Sequence, residues 1–175
     1  MTREEIQELM IEWENTSALC DYFRSHPEEM FKLVEIAFSE SHQLNWRAAW
    51  VLDKVNEKNP IQVSYFIPQM IEFVYATKNE SKLRHFLKII SRHQIPYQQI
   101  GKLFDFALSI FTDANVAIAV RVHALQILFN ISEIECELKS ELILLIEHEL
   151  EIHPSAGIKS RGTKLLKKLK KQTGF

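Results

Sequence analysis

Histidines are the residues of this chain best suited to metal binding or proton transfer, and the closest pair is His148 and His153. The zinc pattern H-E-x-x-H needs a four-residue spacing, which puts both imidazoles on one helix face. A five-residue spacing turns them about 140° apart, so no zinc site is predicted. His85 and His123 have no serine, cysteine or acid in a recognisable triad relation. The sequence therefore predicts no catalytic residue and no metal ligand.

Two tryptophans, Trp46 and Trp50, lie one helical turn apart in the stretch NWRAAWVLDKV, residues 45–55. Exposed on a binding face, they would form an aromatic anchor for a partner. Ala48 and Ala49, in contrast, allow a neighbouring helix to approach closely, as in a buried helix of a repeat array. We favour the buried interpretation and keep the aromatic anchor as the alternative.

Lysines recur along the C-terminal segment at the i, i+3, i+4, i+7 spacing of one helix face. They are Lys164, Lys167, Lys168 and Lys171. From residue 155 onward the chain carries seven Lys/Arg and no acid, whereas residues 1–60 carry six Lys/Arg and twelve Asp/Glu. The lysines are either the polar outer face that a terminal repeat requires or a contact for an anionic partner such as nucleic-acid phosphates. We favour the outer-face interpretation.

The segment from residue 115 to residue 132 is apolar around most of its circumference, which predicts a central helix. Its polar residues fall within about 80° of arc. They are Asn115, His123, Gln126 and Asn130. A narrow polar stripe on a buried helix is typical of the concave lining of a solenoid, the surface on which such proteins bind partners. A solvated strip without a ligand is the alternative.

Arginines recur at intervals of 37, 37 and 40 residues, at Arg47, Arg84, Arg121 and Arg161. Apolar residues follow each arginine at helical spacing, and an amphipathic segment precedes each by about half a period. Those segments are PEEMFKLVEIAFSE, FIPQMIEFVYA, YQQIGKLFDFALSIF and CELKSELILLIEHELEI. The repeating unit is therefore helix, short joint, helix, and we expect the arginines to be structural.

Helix-ending and helix-starting residues agree with this division. Prolines precede three of the first helices, at Pro27, Pro60 and Pro96. Pro68 falls inside a helical pattern and is expected to kink that helix. Asp113 or Asn115 is expected to cap the helix that carries Arg121, and Ser155 to cap the last helix.

The repeats resemble the HEAT and armadillo families of α-helical repeats. The blocks NWRAAWVLDKV, AVRVHALQILFNI and SAGIKSRGTKLLKKL are similar to those of small bacterial HEAT-like proteins. The resemblance implies an all-α fold, a right-handed α-α superhelix of about four antiparallel helix pairs. A single domain would span residues 1–175, with an N-terminal helical cap at 1–26 and repeats near 27–59, 60–95, 96–133 and 134–172.

A HEAT unit typically carries an acid near its joint and a base on its second helix. Asp113 with Arg121 and Glu80 with Arg84 match that pattern. The joint before Arg47 reads SESHQLN and contains no aspartate, so a regular ladder of charges is not predicted there.

Composition limits the classes of function. The chain is 46% hydrophobic and 25% charged, with a net charge of −2, which gives no general preference for nucleic acid or membrane. Cys20 and Cys136 stand alone without metal spacing and are expected to be reduced, partly buried thiols. The acidic N-terminus is unlike a signal peptide, and no apolar run approaches the roughly 20 residues of a membrane span. These features predict a cytoplasmic protein.

The predicted function is a non-catalytic scaffold, without a cofactor, that binds an unknown protein or peptide on the concave face of a short solenoid. One alternative is a nucleic-acid binder, similar to the HEAT-like DNA alkylation-repair glycosylases, with Trp46, Trp50 and Asp53 as its aromatic and acidic ingredients. A purine-biosynthesis lyase is a weaker alternative, because its glycine- and serine-rich loop has no counterpart here. The sequence does not predict an oligomeric state.

Overall fold

The computed structural model describes residues 1–174. Within them it is 78% helical, with 11 α-helices and no strand, which confirms the all-α repeat fold. The helices are α1 (Arg3–Leu9), α2 (Trp13–Ser25), α3 (Met30–Phe38), α4 (Trp46–Lys58), α5 (Pro60–Ser64), α6 (Ile67–Val74), α7 (Glu80–Ile90), α8 (Ile100–Thr112), α9 (Ile118–Ser132), α10 (Leu138–Ile152) and α11 (Ala156–Thr173). Short 3₁₀ turns at Pro27–Glu29, Gln43–Asn45 and Tyr97–Gln99 lead into α3, α4 and α8.

The chain forms two compact units, Met1–Gln94 and Ile95–Phe175. In the first unit, α3 packs on α4 and α6 packs on α7, so each repeat is a helical hairpin. We call α4 and α7 the second helices of these repeats, and α2 the second helix of the N-terminal pair. These three helices lie side by side in chain order. Stacked rings of Phe38 and Phe73, with Phe86 edge-on to both, fill the space between α3, α6 and α7.

The second unit contains two further hairpins, α8 with α9 and α10 with α11. Helix α9 packs on α8, α10 and α11, which explains why its sequence is apolar on most sides. Gly162 allows close contact in the last hairpin, because a Cβ built there would lie 3.3 Å from a methyl of Leu150. The predicted boundaries of the repeats and the single domain remain predictions.

Two local predictions were wrong. Asp113 and Asn115 do not cap α9, which begins at Ile118 after an extended Ala117. They lie too far upstream, and Oδ1 of Asp113 instead accepts hydrogen bonds from the backbone and side-chain nitrogens of Asn115. Pro68 does not kink one helix but stands in the first turn of a separate helix, α6, where its missing N–H costs nothing.

The prediction for Ser155 is confirmed. Its hydroxyl accepts a hydrogen bond from the backbone nitrogen of Ile158 at 3.3 Å and caps α11. The cap fixes the start of the last helix directly after the short joint that follows α10.

Candidate interaction surface on the second helices

Polar contacts join successive repeats at close to the repeat interval. Lys88 Nζ donates to Oδ2 of Asp53 across 35 residues, and Arg47 Nη1 donates to the carbonyl of Met10 across 37. In the second unit, Arg161 Nη1 donates to Oε1 of Gln126 across 35 residues at 2.5 Å. The spacing that predicts the repeats therefore also predicts which side chains meet.

Asp53 is the centre of the most buried charge cluster in the first unit. Its side chain is 1% exposed, and Oδ2 lies 2.6 Å from Lys88 Nζ and 3.0 Å from His85 Nδ1. Burial alone would raise the pKa of Asp53, but the hydrogen bonds from His85 and Lys88 outweigh it and hold the pKa below its ordinary value. Lys88 also reaches Oε1 of Glu57 at 2.8 Å. The cluster fixes α7 against α4.

The acidic ingredient proposed for a DNA-repair site is therefore not accessible. The side chain of Asp53 on α4 is buried and is bound to side chains of α7. Trp46 and Trp50, which are also on α4, are partly exposed. An open groove with an aromatic wall and a free carboxylate is not formed by these three residues.

The tryptophans form a cluster with a third that sequence reasoning missed. The ring of Trp13 lies 5.0 Å from that of Trp50 and 6.0 Å from that of Trp46, centroid to centroid. The guanidinium of Arg47 sits 5.3 Å from the centre of the Trp13 ring and 5.8 Å from that of Trp46. Trp13 is 48% exposed. It precedes Trp50 by 37 residues, and this interval was the signal that could have found it.

The prediction that the stretch NWRAAWVLDKV is buried holds for its alanines and only partly for its tryptophans. Ala48 and Ala49 are completely buried, so neighbouring helices do approach closely there. Trp46 and Trp50 have intermediate exposure, and the Trp13 ring packs against both. The aromatic rings are therefore packed together and still accessible.

Cations continue this surface on α7 and in the turn that follows it. Arg84 is exposed, Lys88 has a side chain that is 20% exposed, and Arg92 Nη1 lies 3.8 Å from Glu57. We call the exposed sides of α2, α4 and α7, together with the turn after α7, the first-unit surface. It comprises Trp13, Trp46, Trp50, Lys54, Glu57, Arg84, Lys88 and Arg92.

The polar stripe predicted on α9 is only partly assembled. Gln126 Nε2 donates to Oδ1 of Asn130 at 2.9 Å, and Oε1 of Gln126 accepts a hydrogen bond from Arg161 of α11. His123 lies on the same side of α9, also with intermediate exposure. Asn115 lies in the preceding loop, outside the helix.

The recurring arginines do not share one environment. Arg121 is 3% exposed and donates from Nε to the Phe111 carbonyl and from Nη2 to Glu149, at 2.8 Å and 2.6 Å. Its acidic partner is thus Glu149 of α10 and not Asp113. Arg84, with the exposed Glu80 at the start of its helix, stays on the surface.

The C-terminal lysines are exposed, as predicted: Lys164, Lys167, Lys168 and Lys171. Lys168 Nζ lies 5.6 Å from the centre of the Phe129 ring, at the junction of α11 and α9. The salt bridge between α11 and the glutamate-rich α10 is made by a different lysine, Lys170, with Glu147 at 2.6 Å.

The remaining candidates for chemistry are separated. His148 is exposed, while His153 Nδ1 contacts Oε2 of Glu149 at 3.0 Å. No group of three or more histidines, cysteines and acids in residues 1–174 could hold a metal ion.

Cys20 and Cys136 are both free cysteines, and burial raises the pKa of the Cys20 thiol to about 11. A search of the described helices found none long and apolar enough for a bilayer span.

Comparison with protein families matches residues 3–169 to the HEAT repeat domain. The match covers nearly the whole chain and agrees with its stacked helical hairpins, so this protein belongs to the HEAT repeat family. It is a helical repeat scaffold of the kind that typically mediates protein interactions without catalysis. Comparison with curated proteins and with solved structures gives no match.

Proposed function

We propose that this chain is a non-catalytic scaffold that binds a protein or peptide on its second helices. The observation that supports the proposal best is the tryptophan cluster of the first-unit surface, where three rings pack together with Arg47 and Lys54. Tryptophan and arginine are the residue types that dominate binding energy at protein interfaces.

The tryptophan cluster is also held in place before any partner arrives. Arg47 lies over two of the rings while its Nη1 donates to the carbonyls of Met10 and Ile11 at 2.5 Å and 2.7 Å. On the other side, Lys54 Nζ lies 5.7 Å from the centre of the Trp50 ring. Rings that are already ordered lose little conformational entropy on binding, which favours affinity.

In the second unit, the proposed contact is the polar stripe of α9. His123, Gln126 and Asn130 present hydrogen-bonding groups of intermediate exposure, and Asn115 lies in the loop before them. Such groups suit the backbone or polar side chains of an extended segment. A peptide is favoured over nucleic acid because Glu57 lies among the exposed cations of the first-unit surface and would repel phosphates.

The proposal places the scaffold in the cytoplasm. Two free cysteines, one buried and one exposed, suit a reducing compartment. Neither a cofactor nor a catalytic residue is part of the proposal.

The test is affinity capture from the native cell, with nuclease treatment, followed by mass spectrometry. We expect one set of proteins to be retained by the wild type and lost from Trp50→Ala and from the double variant His123→Glu/Gln126→Glu. The matched control is Ile61→Ala/Tyr65→Ala, which removes side chains that are 72% and 80% exposed outside the second helices. Equal recovery by all variants would contradict the proposal, and so would loss of every captured protein on nuclease treatment.

A further inference from the structure

A groove opens in the second unit between the start of α8 and the joint that connects α9 to α10. Its volume is about 400 Å³, which lies in the lower part of the range found for ligand sites. Its apolar lining comes from three helices: Ile100 and Phe104 of α8, Ile131 of α9 and Leu138 of α10. An apolar side chain that enters the groove is therefore removed from water, which favours its binding.

Two carboxylates line the same groove, Asp105 from the second turn of α8 and Glu135 from the joint after α9. In the part of the chain that the structure describes, no lysine, arginine or histidine lines the groove with them. Neither carboxylate makes a hydrogen bond or a salt bridge within residues 1–174. Glu133 on the same joint, in contrast, is bound to Lys139 at 3.1 Å. The negative charges of the groove are therefore available to a cationic ligand.

Gly101, in the first turn of α8, also lines the groove, and the fold does not require a glycine there. Its φ angle is not positive, and a Cβ built on it would meet no neighbouring atom within 4 Å. Glycine destabilises a helix relative to alanine or leucine. At this position it lowers helix stability and leaves space in the groove that a side chain would fill.

The groove is open to solvent on one side. Tyr97 at its rim is 72% exposed, and Gly101 and Asp105 are exposed as well. Sites for small molecules typically enclose about 70–90% of the ligand surface. An open groove instead suits one or two anchoring side chains of a larger partner, whose chain continues outside the groove.

We propose that this groove binds a segment of a partner protein in which an arginine stands next to an apolar residue. The apolar side chain fills the space beside Gly101, and the guanidinium binds the carboxylates of Asp105 and Glu135. Arginine is favoured over lysine, because its planar guanidinium forms paired hydrogen bonds with a carboxylate and stacks on aromatic rings such as that of Tyr97. Nucleic acid is disfavoured, since the two carboxylates repel phosphates.

An NMR titration of the isotope-labelled full chain tests this inference. The probe is N-acetyl-leucyl-arginyl-leucine amide, added up to about 10 mM. We expect shift changes concentrated in residues 97–105 and 131–138, which contain the lining of the groove. The same peptide with citrulline in place of arginine keeps the shape and loses the charge. It should bind about tenfold or more weakly, because its hydrogen bonds to the carboxylates are no longer charge-assisted.

Two variants test the groove itself. Gly101→Leu fills the space and should abolish the shift changes, while its Tm stays equal to or above that of the wild type, because leucine favours the helix and its Cβ has room. Asp105→Asn/Glu135→Gln should weaken the arginine peptide about tenfold or more, to the level of the citrulline peptide. The matched control Glu141→Gln/Glu151→Gln makes the same change in net charge at exposed residues of α10 and should bind like the wild type.

Equal affinity for the arginine and citrulline peptides would overturn the inference, and so would the absence of shift changes at the highest concentration. Shift changes that persist in Gly101→Leu, or that lie at the tryptophan cluster, would place the peptide elsewhere and would also overturn it. The substituted residues belong neither to the first-unit surface nor to the polar stripe of α9. This result is therefore independent of the capture experiment on the second helices.

Discussion

Lys88 Nζ lies 2.6 Å from Oδ2 of Asp53, which stands 35 residues earlier on the preceding second helix. The carboxylate is 1% exposed and also contacts His85 of the same helix as Lys88. The contact therefore joins two repeats through a buried charge. Breaking a buried pair by removing one partner typically costs about 3–5 kcal/mol, because the remaining charge stays buried.

Replacing Asp53 with Ala should therefore destabilise the fold strongly. We expect a loss of about 3 kcal/mol in the free energy of unfolding, measured by urea titration followed by circular dichroism. Glu57→Gln is the matched control, since Glu57 is only partly buried and also contacts Lys88. It should cost about 1 kcal/mol or less. An equal effect of the two substitutions would contradict the assigned role of Asp53.

The same carboxylate predicts how stability depends on pH. Because the folded pKa of Asp53 is below its ordinary value of 3.8, its contribution is fully present above the unfolded pKa and is lost as pH falls through the folded pKa. The stability gap between wild type and Asp53→Asn should therefore be widest near neutral pH and narrow below the ordinary pKa. Urea midpoints at neutral pH and at a series of acidic values would check this. A gap that stays constant through the acid range would contradict it.

A second buried pair, Arg121 with Glu149, should behave differently when both partners are removed. Arg121→Met leaves Glu149 buried without its cation and should cost about 3–5 kcal/mol. The double variant Arg121→Met/Glu149→Leu should recover most of that loss, since an apolar pair of similar volume removes the uncompensated charge. Thermal unfolding of the two single variants and the double variant measures the coupling. Additive losses would mean that the two residues act independently.

Tryptophan fluorescence should report on the first-unit surface alone, because the chain's three tryptophans all lie in it. Trp13→Ala uncovers parts of Trp46 and Trp50, so we expect red-shifted emission and faster quenching by acrylamide. We expect a loss of about 1–2 kcal/mol in stability, because the packed ring contacts are removed. Tyr65→Ala, which removes an 80% exposed ring elsewhere in the unit, should leave the emission unchanged. Unaltered emission of Trp13→Ala would mean that Trp13 does not cover the other two rings.

The 37-residue period predicts the helices and also several of the contacts between them. It places Lys88 one repeat after Asp53 and Trp50 one repeat after Trp13. The sequence does not predict Trp13 as part of the cluster, because the predicted N-terminal cap, residues 1–26, lies outside the predicted repeats. The burial of Asp53 was missed because one helix pattern does not specify which cations a neighbouring helix supplies.

Errors in the local predictions have a similar cause. Capping patterns locate a helix start only within a few residues, and Asn115 was assigned to a helix that begins three residues later. The inward direction of Arg121 depends on Glu149, which lies 28 residues later on a different helix. Spacing along one helix predicts which side chains lie on the same face of that helix. The side chains of neighbouring helices decide whether that face is exposed to solvent.

Photo-crosslinking tests the central claim most directly. With benzoylphenylalanine in place of Trp50, irradiation of the native cell should give a discrete protein adduct that withstands nuclease. The same residue in place of Tyr65, which is more exposed but outside the first-unit surface, should give no such adduct. No adduct at position 50, or the same adducts at both positions, would contradict a scaffold that binds its partner on the second helices.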